Sequence, residues 1–241
     1  MPYFFSSNNL IPGEEAEVAG DEMRHLLLSH RAKKGEKVKL QGPDGKRFQA
    51  ELVKAGKGSC YLKVLSPIPI PAEPKAETVL FQAVVAEKAL DLVLQKATEL
   101  GAAKVVLFNS KNVPAMLSVG KFSSKKERWG RVLKEAAKQS ERGRFPELVL
   151  AEDFKILLGM LGSIERVFLL DADGASPGSY DVEKKRSFGL VVGPEGGLIP
   201  EEVLALRALP NVSVWAIGGF VLRADTAATG GMAVLRALVG A

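Results

Sequence analysis

Two glycine-containing segments, the second followed by an arginine, hold the residue types that could do chemistry in this chain. Gly193 to Gly197 follows the apolar run 189–192, and Gly218-Gly219 with Arg223 follows the apolar run 212–217. Glycines at such turns can adopt positive φ and let a ligand approach bare backbone. An arginine beside a reacting group can stabilise negative charge that develops on an oxygen. Two such loops at the ends of neighbouring strands predict one shared pocket.

The glycine spacing differs from two common phosphate-binding patterns. Gly193 to Gly197 reads G-x-x-G-G, which is not the dinucleotide fingerprint G-x-G-x-x-G, and no Gly-Lys-Ser/Thr of a phosphate loop follows. The ordinary alternative is a tight strand-to-helix connection with Pro200 at the first helical position. The second loop favours the pocket over that alternative.

The elements that must position these loops alternate between strand and helix. We predict strands at 78–85, 104–108, 147–150, 166–170, 187–192 and 212–217, and helices at 88–100, 124–141, 154–161, 200–209 and 226–239. Such alternation with short connections predicts an α/β domain on a mainly parallel sheet. Two helix starts have capping signals: Ser124 with Glu127 forms a capping-box pattern, and Asp225 stands where an N-cap is expected.

The region before residue 70 has a different pattern. Strands are predicted at 37–40, 48–53 and 59–65, which indicates a small β-barrel. A linker of four prolines within ten residues follows, at Pro67, Pro69, Pro71 and Pro74. The sequence therefore predicts two domains, 1–70 and 76–241.

Charge is distributed unevenly along the chain. The net charge is +5, yet residues 121–144 alone hold nine Lys or Arg and three Glu, while residues 145–241 hold eight basic and twelve acidic residues. A second basic cluster comprises Lys33, Lys34, Lys37 and Lys39. This asymmetry is typical of nucleic-acid binding. A solvated helix face is the alternative for either cluster.

Composition narrows the class of protein further. A single cysteine, Cys60, excludes an internal disulfide and a thiolate metal cluster, and its alternating run predicts a buried thiol. The two histidines, His25 and His30, are too few for a metal site, so we expect no metal. No apolar run reaches the roughly 18 residues of a membrane span, and no leader pattern opens the sequence. We expect a cytosolic protein.

Further motifs occur in three other parts of the chain. They are Lys96-Ala97-Thr98-Glu99-Leu100-Gly101; Glu135-Ala136-Ala137 with Gln139-Ser140, Arg142 and Pro146; and His25-Leu26 with Arg31 and Gly35. Together with the two glycine loops, they resemble the RsmE family of knotted SPOUT methyltransferases. That family methylates N3 of a uridine in 16S ribosomal RNA with S-adenosylmethionine.

The chain also departs from the family pattern. The family usually has an arginine just before the first Phe pair, where this chain has Tyr3. It usually has another arginine after the second strand, where this chain has Ser110-Lys111-Asn112. Ser29-His30 replaces a Val-Leu pair, and Ala224-Asp225-Thr226-Ala227 replaces Thr-Glu-Thr-Ala. These departures affect RNA contacts more than cofactor binding.

The resemblance implies an N-terminal PUA-like β-barrel that binds RNA, followed by a SPOUT-type α/β domain with a C-terminal knot. It implies 16S rRNA or the small ribosomal subunit as partner, and a homodimer. The glycines of the last helix, Gly230 and Gly231, would form a face for self-packing or for packing under the chain's own sheet. By the same resemblance, S-adenosylmethionine would lie among Leu170, Gly193, Glu195, Gly196, Gly197, Ile217, Gly218, Leu222 and Thr226. The predicted RNA contacts are Arg31, Lys33, Lys34, Lys125, Lys126, Arg128, Gln139, Arg142 and Arg144.

Three acidic or basic side chains near the pocket have competing roles. Glu195 would point into the pocket, or face solvent in its turn. Arg223 would stabilise charge on uracil, clamp an RNA phosphate, or pair with Asp225. Asp225 would act as general base, or only cap a helix. For the whole chain, the alternatives to the methyltransferase are a non-catalytic RNA-binding protein and an ATP-binding enzyme of another chemistry.

Overall fold

The computed structural model describes residues 3–56, 58–178, 182 and 185–240. The chain divides into two compact units. One comprises Met1–Ala72 with Lys138–Arg144, and the other comprises Glu73–Ala137 with Phe145–Ala241. The return of 138–144 to the first unit is not apparent from the sequence, because residues 138–141 belong to the predicted basic helix.

The first unit is built on a five-stranded sheet in the order β1-β3-β4-β5-β2. Its strands are β1 (Tyr3–Phe5), β2 (Glu15–Ala19), β3 (Lys37–Gln41), β4 (Arg47–Ala55) and β5 (Ser59–Pro67). β1 pairs with β3 in parallel, and the other neighbours are antiparallel. A short helix α1 (Gly20–Arg24) continues into a π-helical segment (His25–Ser29). Alternate residues such as Val38, Leu40, Leu62 and Val64 fill the core.

A polar network in the first unit holds the segment 138–144. The buried Arg47 guanidinium donates to the carbonyls of Glu141 and Arg142, and the Gln41 amide donates to the carbonyl of Gly143. Lys138 Nζ lies 2.9 Å from Glu22 Oε2, and the two side chains are 4% and 13% exposed. The charge of Lys138 therefore lies in the interior of this unit, although the sequence analysis counted Lys138 among the basic residues of the segment 121–144.

The second unit contains a six-stranded sheet in the order β11-β9-β10-β6-β7-β8. Its strands are β6 (Glu77–Ala83), β7 (Lys104–Phe108), β8 (Glu147–Ala151), β9 (Arg166–Ala175), β10 (Ser187–Val192) and β11 (Val212–Trp215). All pairs in this sheet are parallel, so the expected parallel arrangement is confirmed.

Helices cover both faces of the parallel sheet. They are α2 (Glu87–Glu99), α3 (Val119–Gln139), α4 (Phe154–Gly162), α5 (Pro200–Arg207) and α6 (Ala224–Val239). Residues of α2, α3 and α6 share one core cluster with Leu80 and Val105, while residues of α4 and α5 share another with Val79 and Phe81. Neighbouring strand residues thus enter opposite cores, as expected for a sheet buried on both faces.

Both predicted helix caps are wrong. α3 begins at Val119, where Ser118 Oγ accepts from Lys121 N, and the Ser124 hydroxyl donates back to the Lys121 carbonyl inside the helix. α6 begins at Ala224 with Arg223 at the N-cap position, so Asp225 lies in the first turn. In both cases the helix extends further toward the N-terminus than its side-chain signal indicated.

Candidate active site

The second unit contains a cavity of about 470 Å³ beside β9 and at the ends of β10 and β11. The carboxyl ends of parallel strands are where α/β sheets bind ligands. Of the nine predicted cofactor residues, eight line this cavity: Leu170, Gly193, Glu195, Gly196, Gly197, Ile217, Gly218 and Leu222. Thr226 does not line it, and its side chain is exposed on α6. The two glycine loops therefore do form one shared pocket.

Several lining residues were missed by the sequence analysis. They are Asp171, Ala172, Val192, Pro194, Leu198, Trp215, Ala216, Phe220, Val221, Ala224 and Ala227. Asp171 and Ala172 were missed because β9 was expected to end at Leu170. Phe220 and Val221 are 88% and 95% exposed, which is unusual for large apolar side chains. The sequence signal that could have found them is their position between Gly219 and Arg223, the arginine predicted to act at the site.

Backbone conformation explains two of the glycines. Gly197 has φ +72° and Gly218 has φ +77°, a region that L-residues with a side chain rarely adopt. Gly197 N donates to the Pro194 carbonyl over 2.9 Å, which closes the first loop into a turn. The glycines thus determine the shape of the cavity wall.

Glu195 lines the cavity, as expected, and also binds the start of α2. Its Oε1 accepts from Ala86 N over 3.1 Å, at the N-cap position of α2, while the residue still lines the cavity. A carboxylate is favourable there because the N-terminal end of a helix carries partial positive charge. Glu195 therefore ties the first glycine loop to the start of α2.

Arg223 and Asp225 lie next to the cavity without lining it. Their neighbours Leu222 and Ala224 do line it. Asp225 Oδ1 accepts from Thr226 N over 2.9 Å, in the first turn of α6. The Arg223 side chain extends into solvent with 82% exposure.

The predicted RNA contacts fall in both units. The first unit holds Arg31, Lys33, Lys34, Gln139, Arg142 and Arg144, of which all but the half-buried Arg142 are exposed. The second unit holds Lys125, Lys126 and Arg128 on α3.

Two of the three cations on α3 that are predicted to contact RNA are engaged in ion pairs on their own unit. Lys125 Nζ lies 3.1 Å from Glu87, and Arg128 pairs with both Glu87 and Asp91. The hydrogen bond from Lys125 and the nearby charges of Lys125 and Arg128 lower the pKa of Glu87. Lys126 is exposed, with Nζ 5.9 Å from the Phe122 ring centroid. An RNA phosphate would therefore compete with Glu87 for two of these cations.

The family model of the RNA methyltransferase domain matches residues 72–236. The chain belongs to this family. Within it, the chain is 30% identical to ribosomal RNA small subunit methyltransferase E of Mycobacterium bovis, over 90% of this chain and 84% of the relative. It is 26% identical to the protein of the same name from Bacillus subtilis, over 87% and 85% of the two chains. The resemblance to the RsmE family is thereby confirmed.

The fold agrees with that of a solved RsmE relative. The structure of ribosomal RNA small subunit methyltransferase E from Neisseria gonorrhoeae, bound to S-adenosyl methionine, has a TM-score of 0.89 and 22% identity and covers 99% of this chain and 98% of its own. The predicted fold class, a PUA-like β-barrel followed by a SPOUT-type α/β domain, is confirmed.

Two further features are absent from the described residues. No helix among them is long and apolar enough to span a membrane. No group of three or more His, Cys, Asp or Glu side chains in this part of the chain could hold a metal ion.

Proposed function

We propose that this RNA methyltransferase family member transfers a methyl group from S-adenosylmethionine to N3 of a uridine in 16S ribosomal RNA. The observation that carries the proposal is the cavity formed by the two glycine loops, whose predicted residues converge at the ends of β10 and β11. The names of the relatives support small-subunit ribosomal RNA as substrate, and the Neisseria structure supports the donor.

The cavity suits this donor in size and chemistry. A volume of about 470 Å³ lies within the range of roughly 300–1,000 Å³ that small-molecule sites have. Its described lining contains bare glycine backbone and apolar side chains but neither lysine nor arginine. That lining fits an adenosine with a methionine group better than a triphosphate, which would need cationic partners. The ATP-binding alternative is therefore disfavoured.

The uridine must be unpaired to react, because base pairing hides N3 on the Watson–Crick edge. Phe220, exposed at the cavity rim, provides an aromatic face on which such a base can stack. When bound, S-adenosylmethionine supplies an electrophilic methyl group on its sulfonium. Loss of the N3 proton to solvent water would leave negative charge on the uracil oxygens, which the Arg223 guanidinium would stabilise. N3 would then take the methyl group, and the sulfonium would leave as the neutral thioether.

In this proposal, Asp225 orients the side chain of Arg223. Its carboxylate is held by Thr226 N and lies at the edge of ion-pair distance from the guanidinium. That arrangement favours orientation of the arginine over removal of the uracil proton.

The two units have different roles in this proposal. The first unit binds RNA through its exposed Arg31, Lys33 and Lys34, and the second holds the donor and also contacts RNA through Lys125, Lys126 and Arg128 on α3. The C-terminal knot and the homodimer stay predictions from the family resemblance. A Cβ at Gly231 would lie 2.7 Å from Leu190 Cδ2, so this glycine serves packing under the chain's own sheet, while Gly230 has no neighbour within 4 Å of its Cβ position. Light scattering of the purified chain would test the dimer.

Methylation assays on ribosomal RNA test the proposal directly. The purified chain with S-adenosylmethionine should produce N3-methyluridine in small-subunit RNA, detected by nucleoside mass spectrometry, and RNA from cells lacking the chain should lack it. Calorimetry with S-adenosylmethionine and with ATP–magnesium is the companion measurement. RNA binding without donor binding would instead support the non-catalytic alternative.

A further inference from the structure

Asn112 holds the first glycine loop from outside the cavity. Its Nδ2 donates to the carbonyl oxygens of both Gly196 and Gly197, over 3.2 Å and 3.1 Å. A Cβ at Gly196 would lie 3.2 Å from Asn112 Cβ, so the two backbones are in close contact. One amide group thus binds two consecutive carbonyls of the loop.

These two hydrogen bonds orient the loop's peptide planes. A trans peptide is planar, so fixing a carbonyl also fixes the N–H of the next residue on the opposite side. The bond to Gly196 O therefore sets the direction of Gly197 N–H, which closes the turn on the Pro194 carbonyl. The bond to Gly197 O turns the N–H of Leu198, a cavity-lining residue, away from Asn112.

The segment that carries Asn112 is itself anchored. Ser110 Oγ donates to Glu202 Oε2 over 2.7 Å, and Lys111 N donates to Glu202 Oε1 over 2.9 Å. Glu202 is 7% exposed and also accepts from Ile199 N, just after the glycine loop. The end of β7 and the loop are therefore joined at two places, by Glu202 and by Asn112.

We propose that Asn112 is a positioning residue that preorganises the first glycine loop for the methyl donor. This inference rests on the proposed function, in which the cavity takes S-adenosylmethionine. It also gives a structural role to a segment that departs from the family pattern, where an arginine would be expected. The role is support of the donor loop and not contact with RNA.

Asn112→Ala removes both donors, and Asn112→Asp replaces them with oxygen atoms that face two carbonyls. Because an exposed neutral hydrogen bond contributes modestly, we expect Asn112→Ala to raise the Kd for S-adenosylmethionine by about 5- to 20-fold. The effect of Asn112→Asp should be larger, because a carboxylate repels the carbonyl oxygens. RNA affinity, measured by fluorescence anisotropy, should stay within about 2-fold of the original.

Asn211 provides a matched control in the same unit. Its Nδ2 also donates to two carbonyls, those of Leu161 and Ile164, over 2.9 Å and 2.6 Å, and none of the three residues lines the cavity. Asn211→Ala should lower the melting temperature while leaving the Kd for S-adenosylmethionine within about 2-fold. Equal changes in Kd for Asn112→Ala and Asn211→Ala would overturn the proposal.

Hydrogen exchange of the protein without donor separates this inference from the proposed function. The peptide covering 193–199 should exchange faster in Asn112→Ala than in the original chain or in Asn211→Ala. If the original chain bound no S-adenosylmethionine, the proposed function would fail while faster exchange would still support the loop-holding role. Unchanged exchange, or a loss of RNA affinity alone, would show that Asn112 does not hold this loop.

Discussion

Arg223 Nε lies 3.9 Å from Asp225 Oδ1, and the arginine side chain is 82% exposed while the aspartate is 18% exposed. A pair at this distance with so exposed an arginine contributes little stability, because solvent screens the arginine's charge. The guanidinium is therefore tethered weakly at the start of α6 beside the cavity. This arrangement suits the role proposed for Arg223, in which it meets an RNA base and then releases it.

The first prediction concerns the role of Arg223 in the reaction. Arg223→Ala should lower kcat by about 100-fold or more, the scale seen when one oxyanion-type donor is removed, with the donor Kd little changed. Arg223→Lys should restore little, because lysine lacks the planar fork that can contact two acceptors. Single-turnover methylation of small-subunit RNA measures the rate of the reaction for both variants. If Arg223 only clamps a phosphate, KM for RNA will rise while kcat at saturating RNA stays near its original value.

The second prediction concerns the left-handed glycine of the first loop. Gly197→Val should abolish most donor binding, because a β-branched residue strongly disfavours φ near the observed +72°. Gly13→Val is the matched control, since Gly13 has φ +89° and no neighbour within 4 Å of its Cβ position, far from the loop in sequence. Calorimetric titration should show donor affinity lost only in the first variant. Normal affinity in folded Gly197→Val would remove this loop from the site.

The third prediction concerns the cations of α3. Replacing Lys125, Lys126 and Arg128 with alanine should weaken RNA binding and flatten its dependence on salt, because phosphate contacts release counterions. Donor affinity should not change. The slope of log K against log salt is the measurement, and an unaltered slope would identify this helix as a solvated face.

A related variant tests the competition between RNA and Glu87. Glu87→Gln removes the carboxylate that pairs with Lys125 and Arg128. RNA affinity should therefore increase at low salt. Weaker RNA binding in Glu87→Gln would mean that the ion pairs hold the cations in the orientation that RNA requires.

The fourth prediction concerns the aromatic side chain at the cavity rim. Phe220→Ala should raise KM for RNA by about 5- to 100-fold, because stacking of one base on an aromatic ring contributes about 1–3 kcal/mol. Phe220→Tyr should retain most activity because it keeps the ring. Val221→Ala, next to it and even more exposed, is the control for loss of apolar area. A dimer that dissociates in Phe220→Ala would instead identify the ring as a contact between copies.

The fifth prediction concerns the buried thiol of the first unit. Burial raises the pKa of Cys60 from 9.0 to about 11, so the folded state keeps a proton that the unfolded state loses between these values. This contribution to the free energy of unfolding is fully present below pH 9 and is lost as pH rises toward 11. Urea titrations from pH 8 to 11 should therefore show a smaller decline for Cys60→Ala than for the original chain. Parallel declines would mean that Cys60 titrates normally in the folded state.

Local sequence signals predicted most of the second unit. Strands such as Lys104–Phe108 and Ser187–Val192 have the expected bounds, because each is an apolar run between clear turn signals. Strand β1 was missed because it has only three residues, and strand β2 was missed because Glu15–Ala19 consists mostly of Glu and Ala, which have low β-propensity. The predicted cap at Ser124 failed because a helix start depends on the whole preceding loop, and here Ser118 serves that role.

By itself, the sequence determined the alternation of strands and helices and the two glycine loops, because these follow from hydrophobic periodicity and the conformational freedom of glycine. Of the nine cofactor contacts that the family resemblance implied, eight are residues that line the cavity. Only the tertiary structure decided the partners of Glu195, Asn112 and Lys138, which lie 109, 84 and 116 residues away in sequence. A buried polar side chain requires a hydrogen-bond partner, but the sequence does not show which residue provides it. Only folding brings the two groups together.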